Sequence, residues 1–136
     1  MDEIDKKLLE LLREDSRLTY TKMALILGVS EGTMRKRTRR LIASGVIVRF
    51  TIETTTECPE ALVMISTSPT FSTSKVAEQI MRIRGIISVS EVAGQYDIFV
   101  IVSGVDISSV NDSIDAIRSI NGVENTYTLF ILRKWR

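Results

Sequence analysis

The chain has 136 residues, 44% hydrophobic and 26% charged, the composition of an ordinary folded protein with room for one domain or two small ones. It contains no histidine and a single cysteine, Cys58, which removes zinc sites, Cys/His nucleophile pairs, histidine acid–base chemistry and any intramolecular disulfide. The net charge of +1 conceals a segregation: residues 30–50 carry six Arg or Lys against one Glu, whereas residues 60–132 carry four basic against eight acidic residues. A basic stretch in a near-neutral chain is a place for polyanions. No apolar run reaches the roughly 18 residues of a membrane span, and the start MDEIDKK has no secretory core, so a cytoplasmic, reducing location is expected.

In chain order, residues 2–14 place Ile4, Leu8, Leu11 and Leu12 on one face, with Asp2 as N-cap and acidic residues in the first turn where the helix dipole favours them. Asp15 and Ser16 break this helix. Thr19 caps a short second one, with Met23, Ala24 and Leu27 inward, and Gly28 and Val29 make a tight turn. Ser30 then caps a third helix that ends at Gly45. Its apolar stripe is Met34, Thr38, Leu41 and Ile42; Arg35, Lys36, Arg39 and Arg40 point outward and Arg37 lies at the edge. Helix, tight turn and basic helix have helix-turn-helix spacing, in which the second helix enters the major groove.

After Gly45, the β-branched and aromatic run VIVRFTIET predicts a strand leading into a hinge, and TTTECP at 54–59 a linker. The remainder repeats itself: residues 61–66 (ALVMIS) recur 37 residues on as Ile98–Ser103 (IFVIVS), and Ile80, Ile83, Gly85 and Ile86 recur as Ile117, Ile120, Gly122 and Val123. In the first copy a stretch with Pro69, Ser72 and Thr73 precedes a helix packing Val76, Ala77, Ile80 and Ile83. In the second, Asp106 caps a helix packing Val110, Ile114, Ile117 and Ile120. Two such units interleave as a ferredoxin-like βαββαβ sheet with helices on one face. The bare face predicts burial against a second copy, and the final strand, residues 123–132, is apolar on both sides.

The order DxxxxxLLxxLxxDxRLT followed by MAxxLGVSxxTxxxRxxRLxxSGVI resembles the N-terminal domain of the Lrp/AsnC (feast/famine) transcriptional regulators. The repeat region is similar to the RAM effector-binding domain of the same family, so the likeness spans nearly the whole chain. The expected fold is therefore α+β: a three-helix helix-turn-helix domain at 1–50, a hinge at 51–59 that includes the end of a hinge strand, and a RAM domain at 60–136. The resemblance implies a homodimer, with assembly to octamers or other rings of dimers, that binds double-stranded operator DNA and responds to an amino acid or related small molecule bound at RAM-domain subunit contacts.

On this reading Ser30, Glu31, Thr33, Arg35 and Lys36, nearest the start of the third helix, read bases, with Gly32 allowing close approach to the duplex. Arg37, Arg39, Arg40 and Arg49 hold phosphates, and Thr19 and Tyr20 lie where the second helix crosses the backbone. A second site is the GQYD run of Gly94, Gln95, Tyr96 and Asp97, which matches the family's GxYD motif. Two readings stand for it. In one, Gly94 is the turn, Tyr96 the sheet edge and Asp97 a strand start; in the other, the loop receives an amino acid, Asp97 accepting from the ammonium and glycine-loop amides donating to the carboxylate. Thr126 and Thr128 would add hydroxyl contacts from a neighbouring subunit. Asp112 and Asp115 would favour a basic ligand if they faced the pocket, and otherwise are solvated helix surface. No catalytic residue, metal or cofactor is expected. The competing readings are an architectural DNA-binding protein and an enzyme similar to siroheme decarboxylases, which rely on histidines this chain lacks.

Overall fold

A computed structural model describes residues 1–54 and 58–135, so positions 55–57 of the expected linker lie outside the described residues. The chain forms two compact units, Met1–Thr54 and Thr55–Arg136. The first holds α1 (Glu3–Glu14), α2 (Tyr20–Leu27) and α3 (Glu31–Ala43). Each helix starts at an oxygen-bearing cap: Asp2 accepts from the Asp5 amide, Thr19 from Lys22 and Ser30 from Thr33. Asp2 and Asp5 form a reciprocal capping box at 2.9 and 3.0 Å. Gly28 ends α2 in the left-handed conformation at φ 66°, which allows the abrupt turn before Ser30. Leu8, Met23, Ala24, Met34 and Leu41 make the core, closed at its margin by Ile4, Leu11, Leu12, Val29 and Ile47.

Two expectations fail in this unit. Ile42 is 46% exposed rather than part of the buried stripe. At 3.6 residues per turn it lies about 70° round α3 from the centre of Met34, Thr38 and Leu41, the mirror position of Arg37 on the other edge. The predicted hinge strand in residues 46–54 is also absent among the described residues, where this run is irregular. Its residues have strand propensity, but a strand needs a ladder, and among the described residues the sheet comprises only β-strands of the second unit. Val48, Phe50 and Ile52 are exposed in consequence.

The second unit is built from β1 (Glu60–Thr67), α4 (Thr73–Ile80), β2 (Ile86–Glu91), β3 (Ile98–Ser103), α5 (Ile107–Arg118) and β4 (Val123–Phe130). The sheet order is β2-β3-β1-β4 with every neighbour antiparallel, the ferredoxin-like arrangement the repeat implies. Alternation along the strands sends Ala61, Val63, Ile65, Ile98, Val100 and Val102 to the helix side. There they pack on Val76, Ile80, Val110, Ile114 and Ile117. The register aligns Val63 with both Val100 and Thr128. Leu62, Met64, Phe99, Ile101, Tyr127 and Leu129 fall on the other face, none of them fully buried. The strand predicted to 132 ends at Phe130.

Gly85 and Gly122 occupy equivalent stops in the two copies, at φ 87° and 101°. At Gly85 the chain runs so close to β3 that the Ser103 amide donates to its carbonyl at 2.8 Å.

Candidate nucleic-acid interface and ligand loop

The face of α3 opposite its buried stripe carries the basic side chains, and three of the five are already engaged. At its start, Arg35 donates to Glu31 at 2.6 Å, Glu31 also accepts from the Thr21 hydroxyl at 2.8 Å, and the Arg35 guanidinium lies 4.7 Å from the Tyr20 ring centroid. The Arg35 and Thr21 hydrogen bonds hold the Glu31 carboxyl below its ordinary range. This brings Tyr20, Glu31 and Arg35, all named from sequence, into one cluster. Thr19 and Ser30 spend their hydroxyls as caps, and the Ser30 hydroxyl shares a 2.8 Å hydrogen bond with that of Thr33.

Arg37 and Arg40 have partners the sequence reading missed. Arg37 donates through Nη1 to Asp2 at 2.7 Å and to Asp5 at 2.8 Å, and Arg40 donates through Nη2 to Asp5 at 2.6 Å. Asp5 is fully buried. The signal is legible as matched spacing: two acids three residues apart, at the N-cap and in the first turn of α1, face two arginines three apart on α3. The Arg37 side chain is only 20% exposed and its Nη1 is shared between two carboxylates, so it is engaged inside the unit. Among the described residues Lys36, Arg39 and Arg49 are exposed and make no ion pair.

The charges at this junction have a consequence in acid. The Asp5 amide and then the Arg37 guanidinium hold the Asp2 carboxyl down to about 2. For Asp5, burial pushes upward, but the Asp2 amide, Arg37 and Arg40 outweigh it and the net shift is downward. Depressed carboxyls contribute stability that is complete above the unfolded value, 3.8, and is lost as pH falls towards 2. Resistance of the wild type to chemical denaturation should therefore weaken between about pH 4 and pH 2 by more than that of Asp2→Asn. Equal losses in the two proteins would contradict the assignment.

In the second unit, the loop with Gly94, Gln95, Tyr96 and Asp97 joins β2 to β3 and is closed by the Val92 amide donating to the Asp97 carbonyl at 2.9 Å. Gly94 and Gln95 are exposed, Tyr96 and Asp97 half-buried. One oxygen of Asp97, Oδ2, accepts from the Thr67 amide at 2.7 Å and the Thr67 hydroxyl at 3.1 Å, so this carboxylate ties the loop to the end of β1. Thr126 accepts from Arg118 at 3.1 Å and lines an open hollow of about 280 Å³ with Arg118, Val123, Glu124 and Asn125. Thr128 has a buried hydroxyl oxygen without a hydrogen-bond partner among the described residues. Both threonines face the helix side, aligned with Ile65 and Val63, two strands from the start of β3. Within one chain they do not join the GQYD loop. Asp112 and Asp115 are exposed, and Asp115 pairs with Arg118 at 3.3 Å, which makes them solvated helix surface.

Residues 1–42 match the AsnC-type helix-turn-helix domain and residues 60–136 the Lrp/AsnC ligand binding domain. The chain belongs to the Lrp/AsnC family. It is a transcriptional regulator that joins a DNA-binding helix-turn-helix to a ligand-binding domain. The HTH-type transcriptional regulator LysM of Saccharolobus solfataricus is 46% identical, covering 99% of this chain and 96% of its own. That of Sulfurisphaera tokodaii is 44% identical, covering 99% and 97%. Among solved structures, PH0061 is similar with a TM-score of 0.88 at 29% identity, covering 100% of this chain and 95% of the other. Among the described residues no helix is long and apolar enough to cross a membrane.

Proposed function

We propose that this Lrp/AsnC regulator acts in the cytoplasm without catalysis, binding operator DNA sequence-specifically as a homodimer and altering its assembly when an amino acid occupies the RAM domain. The observation that carries the reading is the build of α3: capped at Ser30, packed on its Met34, Thr38 and Leu41 side, and basic on the other. Two such helices in a dimer enter successive major grooves about one helical turn apart. Ser30, Glu31, Thr33, Arg35 and Lys36 are the base-reading candidates at its start, while Arg39 and Arg49 suit phosphates. Thr19 and Tyr20 approach the backbone from α2. The apolar face of the sheet, with Leu62, Met64, Phe99, Ile101, Tyr127 and Leu129, supports the dimer.

For the effector, Asp97 offers a carboxylate to an ammonium and the exposed Gly94 loop offers backbone amides to a carboxylate. An amino acid shifts dimers towards octamers or back only by its differential affinity for the two assemblies. Lys36→Ala is expected to change sequence preference at one position of each half-site while retaining most non-specific affinity, read by selection from a randomised duplex pool. Asp97→Ala is expected to abolish the amino-acid response while sparing DNA binding; loss of DNA binding in that variant would make Asp97 purely structural. A ratio of specific to non-specific affinity near one would favour an architectural protein instead.

A further inference from the structure

The buried carboxylate of Asp5 bears on how the recognition helix meets DNA. A carboxylate without water needs charged or hydrogen-bonding partners at every lobe, and Asp5 finds them in the Asp2 amide, Arg37 and Arg40. Two of these partners lie three residues apart on α3, so a single group on α1 grips the recognition helix at two successive turns. Rotation of α3 about its own axis would draw at least one guanidinium away. With Asp2 added, two carboxylates stand against two guanidiniums and their charges cancel. Arg35 is balanced by Glu31 at the other end. Of the five basic residues on α3, only Lys36 and Arg39 then keep uncompensated charge among the described residues.

We propose that Asp5 is a positioning residue for DNA recognition: through Arg37 and Arg40 it sets the rotation of α3 and withholds those two cations from phosphate, leaving Arg39 as the phosphate contact of that half of the helix. The proposal rests on α3 being the DNA-binding helix. It departs from the simple rule that every outward arginine on such a helix serves the backbone of the duplex. Arg40 is 59% exposed on its side chain, and exposure alone would have assigned it to phosphate.

The test is the salt dependence of binding by the full-length protein, measured on a duplex carrying its own promoter region and on a scrambled duplex of equal length. Each lost phosphate contact flattens the plot of log affinity against log salt by about 0.9 per head. Arg39→Gln should flatten it by that amount. Arg40→Gln should weaken promoter binding with no change of slope, since its charge is spent inside the protein. Asp5→Asn should steepen the slope by up to about 0.9 for each released guanidinium and lower the ratio of promoter to scrambled affinity. Flattening by Arg40→Gln equal to that by Arg39→Gln, or an Asp5→Asn slope matching wild type, would overturn the proposal. Should Asp5→Asn fail to fold, as judged by circular dichroism, the Arg39 and Arg40 pair decides alone. A wild-type protein that bound neither duplex would instead overturn the DNA-binding reading itself.

Discussion

Gly85→Ala is expected to cost the ligand-binding domain about 3–5 kcal/mol, read as a fall in the urea midpoint of the full-length protein. The backbone there has φ 87°, which an L side chain adopts only with strain, and a Cβ would sit 2.7 Å from the Ser103 carbonyl oxygen and 3.0 Å from the Ser113 hydroxyl. The Ser103 oxygen belongs to the sheet, and the Ser103 amide is bound back to Gly85, so neither side can yield locally. Gly122, its counterpart in the second copy, has a similar φ of 101°, but its close neighbours at 2.8 and 2.9 Å are Cγ and Cβ of Phe71, which is 47% exposed on the loop between β1 and α4, so relief there needs that loop to shift and not the sheet. Gly122→Ala should therefore cost less than Gly85→Ala. Equal midpoints for the two would show that the Ser103 contact adds nothing to the strain.

Met34→Ala should open the helix-turn-helix unit by about 2–5 kcal/mol. Met34 is fully buried near the start of α3, and among the described residues it packs in a small apolar core with Leu8, Met23, Ala24 and Leu41. A unit this small has only a few kcal/mol in reserve, so one cavity removes much of it. Hydrogen exchange of the α1, α2 and α3 amides should accelerate by about thirtyfold or more, since 1.4 kcal/mol is tenfold, and promoter affinity should fall with it. Protection within about threefold of wild type would mean that the flexible neighbours Met23 and Leu41 refill the space.

Most of the helices could be read from the chain because their ends are written in local chemistry. Asp2, Thr19, Ser30, Ser72 and Asp106 each accept from a first-turn amide, and the repeat places β1 and β3 in matching positions. The misreadings share a physical origin in longer-range partners. Strand propensity in residues 46–54 says nothing about whether a ladder is there to receive it, and Ile42 is apolar yet sits one step beyond the buried arc. At the sites, residue type placed the basic face of α3 and the GQYD loop but not how the charges are shared. The link from Asp5 to Arg37 and Arg40 spans more than thirty positions, and the Thr67 grip on Asp97 spans thirty. The first leaves only the matched three-residue spacing of its acids and arginines, and the second leaves no periodic trace in the sequence.

Sequence-specific regulation tuned by an amino acid is tested most directly by a footprint on the promoter of the protein's own gene, repeated with each amino acid in turn. Paired protected half-sites spaced by one helical turn, with one amino acid altering the pattern, is the predicted result. Featureless protection, indifferent to every amino acid, would contradict it.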